Sequence, residues 1–544
     1  MKRRAFVKRL ALGSFVFSQL RWVTACADPS RKWIFKRSGI PAEVAHSVRK
    51  PQGDTGKSTS VIQCKRVIIG AGISGLSTAY HLHQAGETDF LVLEMEAQIG
   101  GNAQYGETNA GKFPQGAHYL PIQNQQNKPL FDFLHQIGSI SHFSHDGIPY
   151  YNEMELCHEP EDRLLIYGKW HAGITESLVR LFPDEKPVWD RFFREMEKFR
   201  TYKGVDGKDV FYIPQSLSSS DHDLMHLDQV SFDSYLDSNK FRADSLDWYL
   251  NYCCRDDYGQ DTRYVSAFAG IHYFAARKAV SKNAAPDALL TWPEGNGYLA
   301  QKLAEKFPSK IHTSTIVQAI RKTEVDTFLI SAFNWKTKQV LTYETQEIVV
   351  AVPRHIRPYL LAQIQPQDWL IPTHQPWWVV TVELEPFSDY SGPDPAWDNV
   401  IYNHQTLGYI HNLNQQLRRP NGNVLLTFYK PLDQAEAKQV RNEYLRKPDE
   451  ALKQEILADL SSVYSGIENC ICYMEVRLWG HGMVSPGINY VTNTEREIQQ
   501  QPIDGKIYFA HTDDIGFSLF EEAFDIGYRV SNKLLKVKSD VDPL

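Results

Sequence analysis

The chain has 544 residues, 42% of them hydrophobic and 23% charged, the balance of an ordinary folded protein whose core can enclose a cofactor. A formal net charge of −7, with no concentration of Lys and Arg beyond the first residues, removes the electrostatic basis for nucleic-acid binding. Seven cysteines are too few for a disulfide scaffold at this length, and neither Cys253-Cys254 nor Cys470-x-Cys472 repeats with the spacing of a zinc site.

Residues 1–26 read as an address. Lys2, Arg3, Arg4, Lys8 and Arg9 precede a mostly apolar run, Leu10 to Ala25, which is too short to span a bilayer and is interrupted by Arg21. Arg3-Arg4-Ala5-Phe6-Val7-Lys8 resembles the twin-arginine export motif, and Val23-Thr24-Ala25-Cys26 resembles a bacterial lipobox. Together they imply a periplasmic protein exported already folded and anchored to the membrane by a lipid on Cys26. Residues 27–62 are polar and are expected to form a tether. Within them, Gly53 to Ser58 is not a P-loop, because Pro51 stands where its first Gly belongs.

Lys65-Arg-Val-Ile-Ile69 predicts a strand entering Gly70-Ala-Gly72-Ile-Ser-Gly75. Gly70 permits the turn, Gly72 lets the backbone approach a pyrophosphate, and Gly75 lets the following helix pack close to the sheet. That helix carries Leu76, Ala79, Tyr80 and Leu82 on one face and stops at Gly86. Its free N–H groups, those of Ile73 and Ser74 among them, suit phosphate. A second strand, Phe90-Leu-Val-Leu93, ends on Glu94, 24 positions past Gly70, where a carboxylate can accept from ribose hydroxyls. The set is a Rossmann-type dinucleotide fingerprint.

Gly100-Gly101 follows within a turn, and this pair resembles the flavoprotein superfamily of amine oxidases, protoporphyrinogen oxidases and phytoene desaturases. The resemblance implies FAD, with the glycine pair running along its pyrophosphate; Asn102 stands where most members have Arg. Three further segments resemble the superfamily in the same order. Gly116-Ala117-His118-Tyr119-Leu120 matches the strand that passes the flavin ring. Thr291-Trp-Pro293-Glu-Gly295-Asn-Gly297-Tyr-Leu299 matches the loop returning to the FAD domain, followed by a meander that contributes Val317 to the cofactor surface. Ile507-Tyr-Phe-Ala510-His511-Thr512-Asp513 matches the closing strand, whose acid binds the ribityl chain, and residues 518–536 read as a helix directed at the flavin. His511, Ser518 and Glu522 replace glycines of the pattern.

The implied fold class is α/β, a three-layer Rossmann-type FAD domain (63–120, 291–360 and 476–544) with an inserted α+β substrate domain (121–290 and 361–475). In the latter, Trp189, Phe192, Phe193, Met196 and Phe199 predict one apolar helix face that packs onto the core. Trp377 to Leu384 alternates as a strand of the sheet flooring the substrate cavity. Trp479 to Gly487 resembles the segment crossing the flavin face, which makes His481 a candidate catalytic group beside His118 of the Gly116–Leu120 segment, with buried structural histidines as the competing reading.

The chemistry implied is hydride transfer to flavin N5 from a C–H bond, next to nitrogen in an amine or allylic in a polyene, with an unidentified electron acceptor. Two other readings of the same fold remain: a non-redox flavin isomerase or mutase, and a flavin-binding lipoprotein without turnover. The aromatic pair of monoamine oxidases is not evident, since Leu519 and Gly482-Met483 occupy those places. Pro353 to Pro366 holds no Lys, with Gln363 nearest to the position that activates oxygen in amine oxidases and Arg354 and Arg357 as other cations. Poor reduction of oxygen is therefore expected.

Overall fold

The computed structural model describes residues 33–49, 61–157, 160–221, 223–386, 392–414 and 422–535. The twin-arginine segment and Cys26 lie outside the described residues. Among these residues, no helix is long and apolar enough to cross a membrane.

Two large sheets organise the chain. In the seven-stranded one, Val61–Ile69 lies between Phe90–Leu93 and Gln339–Val350, all parallel. The long strand Gln339–Val350 serves two structures: Gln339–Thr345 pairs with the antiparallel Phe328–Asn334, and Ile348–Val350 pairs with the closing strand Ile507–Phe509. Ile348, Val349 and Val350 are fully buried, as expected of a strand covered on both faces. Helices Ile73–Gln84 and Phe520–Leu535 cover one face together. Their approach is close enough that a Cβ at Gly527 would lie 2.5 Å from the Ser74 carbonyl oxygen. Ser77 donates to the Phe524 carbonyl at 2.7 Å across the same crossing.

The eight-stranded sheet runs in the order Ile34–Ser38, Ile471–Ser485, Thr373–Leu384, Val424–Pro431, Gly408–His411, Asp398–Ile401, Asp162–Ile166, Lys169–Ala172. Helices Lys186–Thr201, Phe232–Ser238, Asp244–Tyr258 and Ala267–Ala275 close over it around Trp189, Phe192 and Met196. The apolar stripe foreseen on the first of these helices packs inward except at Phe193, which is 39% exposed.

Two boundaries differ from the sequence reading. Residues 27–62 are not wholly a tether, because Ile34–Ser38 forms a parallel edge strand on Tyr473–Arg477 and residues 42–49 are helical. Trp33 and Phe35 pack against the apolar cluster beneath that edge, a drive masked by the polar residues around them. The second sheet also keeps the chain until Ser485, so the return to the dinucleotide domain falls after that residue and not at 476.

Candidate functional site

A cleft of about 440 Å³ follows the ends of the parallel strands. Gly70, with φ +105°, turns the chain out of its strand, and a Cβ on Gly75 would lie 2.0 Å from the Gly70 carbonyl oxygen. Gly72 is different: a Cβ there would meet nothing within 4 Å and would project into open space. Gly72 begins helix Ile73–Gln84, no side chain caps that helix, and Ile73 and Ser74 also line the cleft. Gly100 donates to the Ala71 carbonyl at 2.8 Å, which brings the glycine pair onto the same turn. An uncapped helix start facing an unfilled cradle suits a diphosphate.

Glu94 lines the cleft, and its two oxygens accept from the backbone N–H groups of Glu96 at 2.7 Å and Ala71 at 2.6 Å. Burial pushes its carboxyl up to about 7. Val317 and Thr315 form the neighbouring wall. At the other end Asp513 is buried, accepts from the Arg354 backbone N–H at 2.8 Å, and sits 3.0 Å from His374 Nε2. Burial would raise this acid, but His374 and His511 beside it hold it well below the usual carboxylate range.

His481 also faces this cleft. Its ring stacks on His355 at 3.9 Å between centroids, and burial, followed by the nearby His355, drives it far below the ordinary imidazole value. Burial thus favours its neutral imidazole at the cleft wall. On two residues that line the cleft, His355 Nδ1 and Asn296 Oδ1 are buried without a partner among the described residues, which fits a polar ligand.

A second cavity of about 160 Å³ adjoins the cleft, with Asn102, Ala117, Trp479, Gly482 and Leu519 lining both. Gly116 and His118 belong to it. The loop they occupy is not a strand: Ala117 donates to the Asn102 carbonyl at 2.9 Å and accepts from Asn296 at 3.0 Å. The Asn102 side chain donates to the Gly482 carbonyl, so it links the glycine-pair loop to the crossing strand. His118 Nδ1 lies 3.0 Å from the Gly116 carbonyl, which requires the proton on Nδ1 and leaves Nε2 as an acceptor. Burial lowers this imidazole to about 4.

The sequence reading missed the acids of this cavity. Asp256 and Asp257, on helix Asp244–Tyr258, line it, and no group among the described residues donates to either carboxylate. Burial raises Asp257 to about 6, partly offset by Arg277, and raises Asp256 further, with Asp257 and Asp398 adding to the effect. Asp398, which accepts from the Tyr429 hydroxyl at 2.8 Å, is raised by burial to about 7. Arg277 is bound to Glu521 at 2.8 Å, and the two charges offset each other. The cavity therefore holds an excess of acid.

Gln363 is exposed and lines neither space, and Arg354 and Arg357 are fully buried on Asp514 at 3.0 and 2.5 Å. None of the three replaces an oxygen-activating lysine. Glu522, where a glycine was expected, accepts from the Gln215 backbone N–H at 2.7 Å and so anchors a loop of the helical layer.

A profile described as flavin containing amine oxidoreductase matches residues 73–535. The chain belongs to that family. It is an enzyme of FAD-dependent type, and the cleft that ends at Asp513 fits the cofactor. A putrescine oxidase double mutant shares the fold at a TM-score of 0.62 and 18% identity, covering 88% of this chain and 100% of that one. The CLA-producing fatty acid isomerase of P. acnes does so at a TM-score of 0.59 and 17% identity, covering 88% and 99%. A Baeyer-Villiger monooxygenase of Pseudomonas aeruginosa is 55% identical over 38 residues, and the match spans 7% of its length and 7% of this chain.

Proposed function

We propose that the protein oxidises a small organic amine that binds as its ammonium, passing electrons from FAD to a separate acceptor. The observation that carries this reading is the pair Asp256 and Asp257, two donorless carboxylates in the cavity next to the cleft. A buried carboxylate without a partner is costly to ionise, and a cation entering the cavity removes that cost. Bound in the cleft, FAD would supply the hydride acceptor for the C–H bond next to nitrogen, once the ammonium has passed one proton to the ionised Asp257. The remaining tasks fall to the chain. Gly72 and the helix start hold the diphosphate, Glu94 accepts from the ribose, and Asp513 meets the ribityl chain. The cavity acids draw the ammonium inward, and His118 Nε2 accepts a hydrogen bond from the substrate. His481 gives a neutral imidazole to the cofactor side.

An anaerobic mixing series tests this. Diamines and monoamines are expected to bleach the flavin band, and fatty acids and porphyrinogens to leave it unchanged. Isomerisation of a fatty acid by the pre-reduced protein, with no bleaching by any amine, would replace this reading with the isomerase one.

Residues 1–26 are proposed to export the protein by the twin-arginine route and to leave it lipid-anchored in the periplasm; Arg3, Arg4, Lys8 and Cys26 support this. Cys26→Ala is expected to move the protein from membranes to the soluble periplasmic fraction with activity retained. Continued sedimentation with membranes would overturn the anchor.

A further inference from the structure

We infer that residues 38–48, which precede the segment matched by the family, form a strap that binds the adenosine-diphosphate half of FAD and slows its release. Ser38, Gly39, Ile40, Ala42, Ala45 and His46 line the same cleft as the glycine fingerprint. The strap is fixed at both ends to different sheets. Upstream, Ile34–Ser38 is in register with Tyr473–Arg477, Lys36 pairs with Glu475 at 2.8 Å, and Arg37 donates to the Tyr444 carbonyl at 3.1 Å. Downstream, Val48 is buried in the apolar cluster of the dinucleotide sheet with Val317 and Leu360. A segment pinned on both sides of a cleft has to cross its mouth.

The crossing is joined to the ribose-binding acid. Ile40 donates its backbone N–H to Glu96 Oε2 at 3.1 Å, and Arg477 binds Glu96 Oε1 at 2.7 Å. Glu96 in turn donates its own N–H to Glu94 Oε1 at 2.7 Å. The turn that delivers Ile40 needs Gly39: its φ is +102°, and a Cβ there would lie 2.1 Å from Arg477 Nη1. Charge agrees with the assignment. Arg441 lines the same wall, donating to the Gly480 carbonyl at 2.5 Å and the His374 carbonyl at 2.9 Å, and its field reaches His46 together with that of Arg49. A diphosphate lying between the helix start and the strap would meet positive potential on both sides.

The test uses the holoprotein and reads FAD itself. Gly39→Ala is expected to release FAD about tenfold faster on dilution into an FAD-free trap, as fits the loss of one or two hydrogen bonds. Glu96→Gln, which keeps size and removes the charge shared by Ile40 and Arg477, is expected to act in the same direction. Lys128→Ala, which removes an exposed ion pair with Asp132 away from the cleft, should leave the release rate unchanged. Tryptic cleavage after Arg37 and Arg49 should be slower with FAD bound than in the apoprotein. Release rates unchanged in Gly39→Ala and Glu96→Gln, or tryptic cleavage indifferent to FAD, would make the strap a structural brace and overturn the inference.

Discussion

If the cavity acids hold an ammonium, binding must follow their ionisation. Burial sets Asp257 at about 6, and the charged groups acting on it are Arg277, which lowers it, and Glu521, which raises it. Only the ionised acid attracts the cation, so affinity rises as pH climbs through this value and falls below it. One pH unit below its pKa a group is about one-tenth ionised, so kcat/KM should drop roughly tenfold between about pH 7.5 and about pH 5 through Asp257 alone. Asp398, at about 7, steepens the fall if it titrates with the substrate. Asp257→Asn keeps the shape and removes the charge. Losing a charge-assisted hydrogen bond of about 1.5–3 kcal/mol raises KM by about 10–150-fold, with kcat less affected. The variant should also lose the Asp257 limb of the pH profile. The assay is steady-state turnover with an artificial electron acceptor across pH, for wild type and variant with one amine. An unchanged KM with an unchanged acid limb in Asp257→Asn would refute the argument.

Gly72→Val is expected to fold normally and to carry no flavin, because its side chain enters open cleft and meets no protein atom within 4 Å at Cβ. Visible flavin absorbance against circular dichroism checks both halves of that statement. Asp514→Ala leaves Arg354 and Arg357 buried without their acid and should cost about 3–5 kcal/mol of stability, read as a large fall in Tm. Among the described residues, no lysine lines the cleft or the cavity, so anaerobically reduced protein is expected to reoxidise slowly in air-saturated buffer. Reoxidation with peroxide release at the speed of a dedicated oxidase would contradict this.

What was legible in the sequence was local. Gly70, Gly72, Gly75 and Glu94 follow one another through a strand, a turn, a helix and a strand, and each is demanded by backbone geometry within a few residues of itself. The α/β class follows from the same run and is the class observed. Asp513 was legible for a related reason, since it lies in the turn Thr512–Asp514 that follows the strand paired beside Gln339–Val350. The substrate side is built the other way. Asp256 and Asp257 sit in a helix segment reading Arg-Asp-Asp, which in one dimension is indistinguishable from a solvated face. Only the packing of that helix against the strands carrying Asp398 and Tyr429 turns it into an acid site lining the cavity. His481 shows the intermediate case. Its segment lines the cleft, but which way the ring faces could not be read from the sequence, because the strand is out of simple register with its neighbour between Gln375 and Trp377. In a strand one residue of slip reverses the face, so no pattern of alternation could assign the ring to cofactor or substrate. The strap is the extreme. Its contacts, Ile40 with Glu96 and Val48 with Val317, are made to parts of the chain that follow it, and its own composition is that of a linker. A segment whose order comes wholly from partners elsewhere leaves no periodic trace. By the same reasoning, it should be the part of the cofactor site that closes only after the rest has formed.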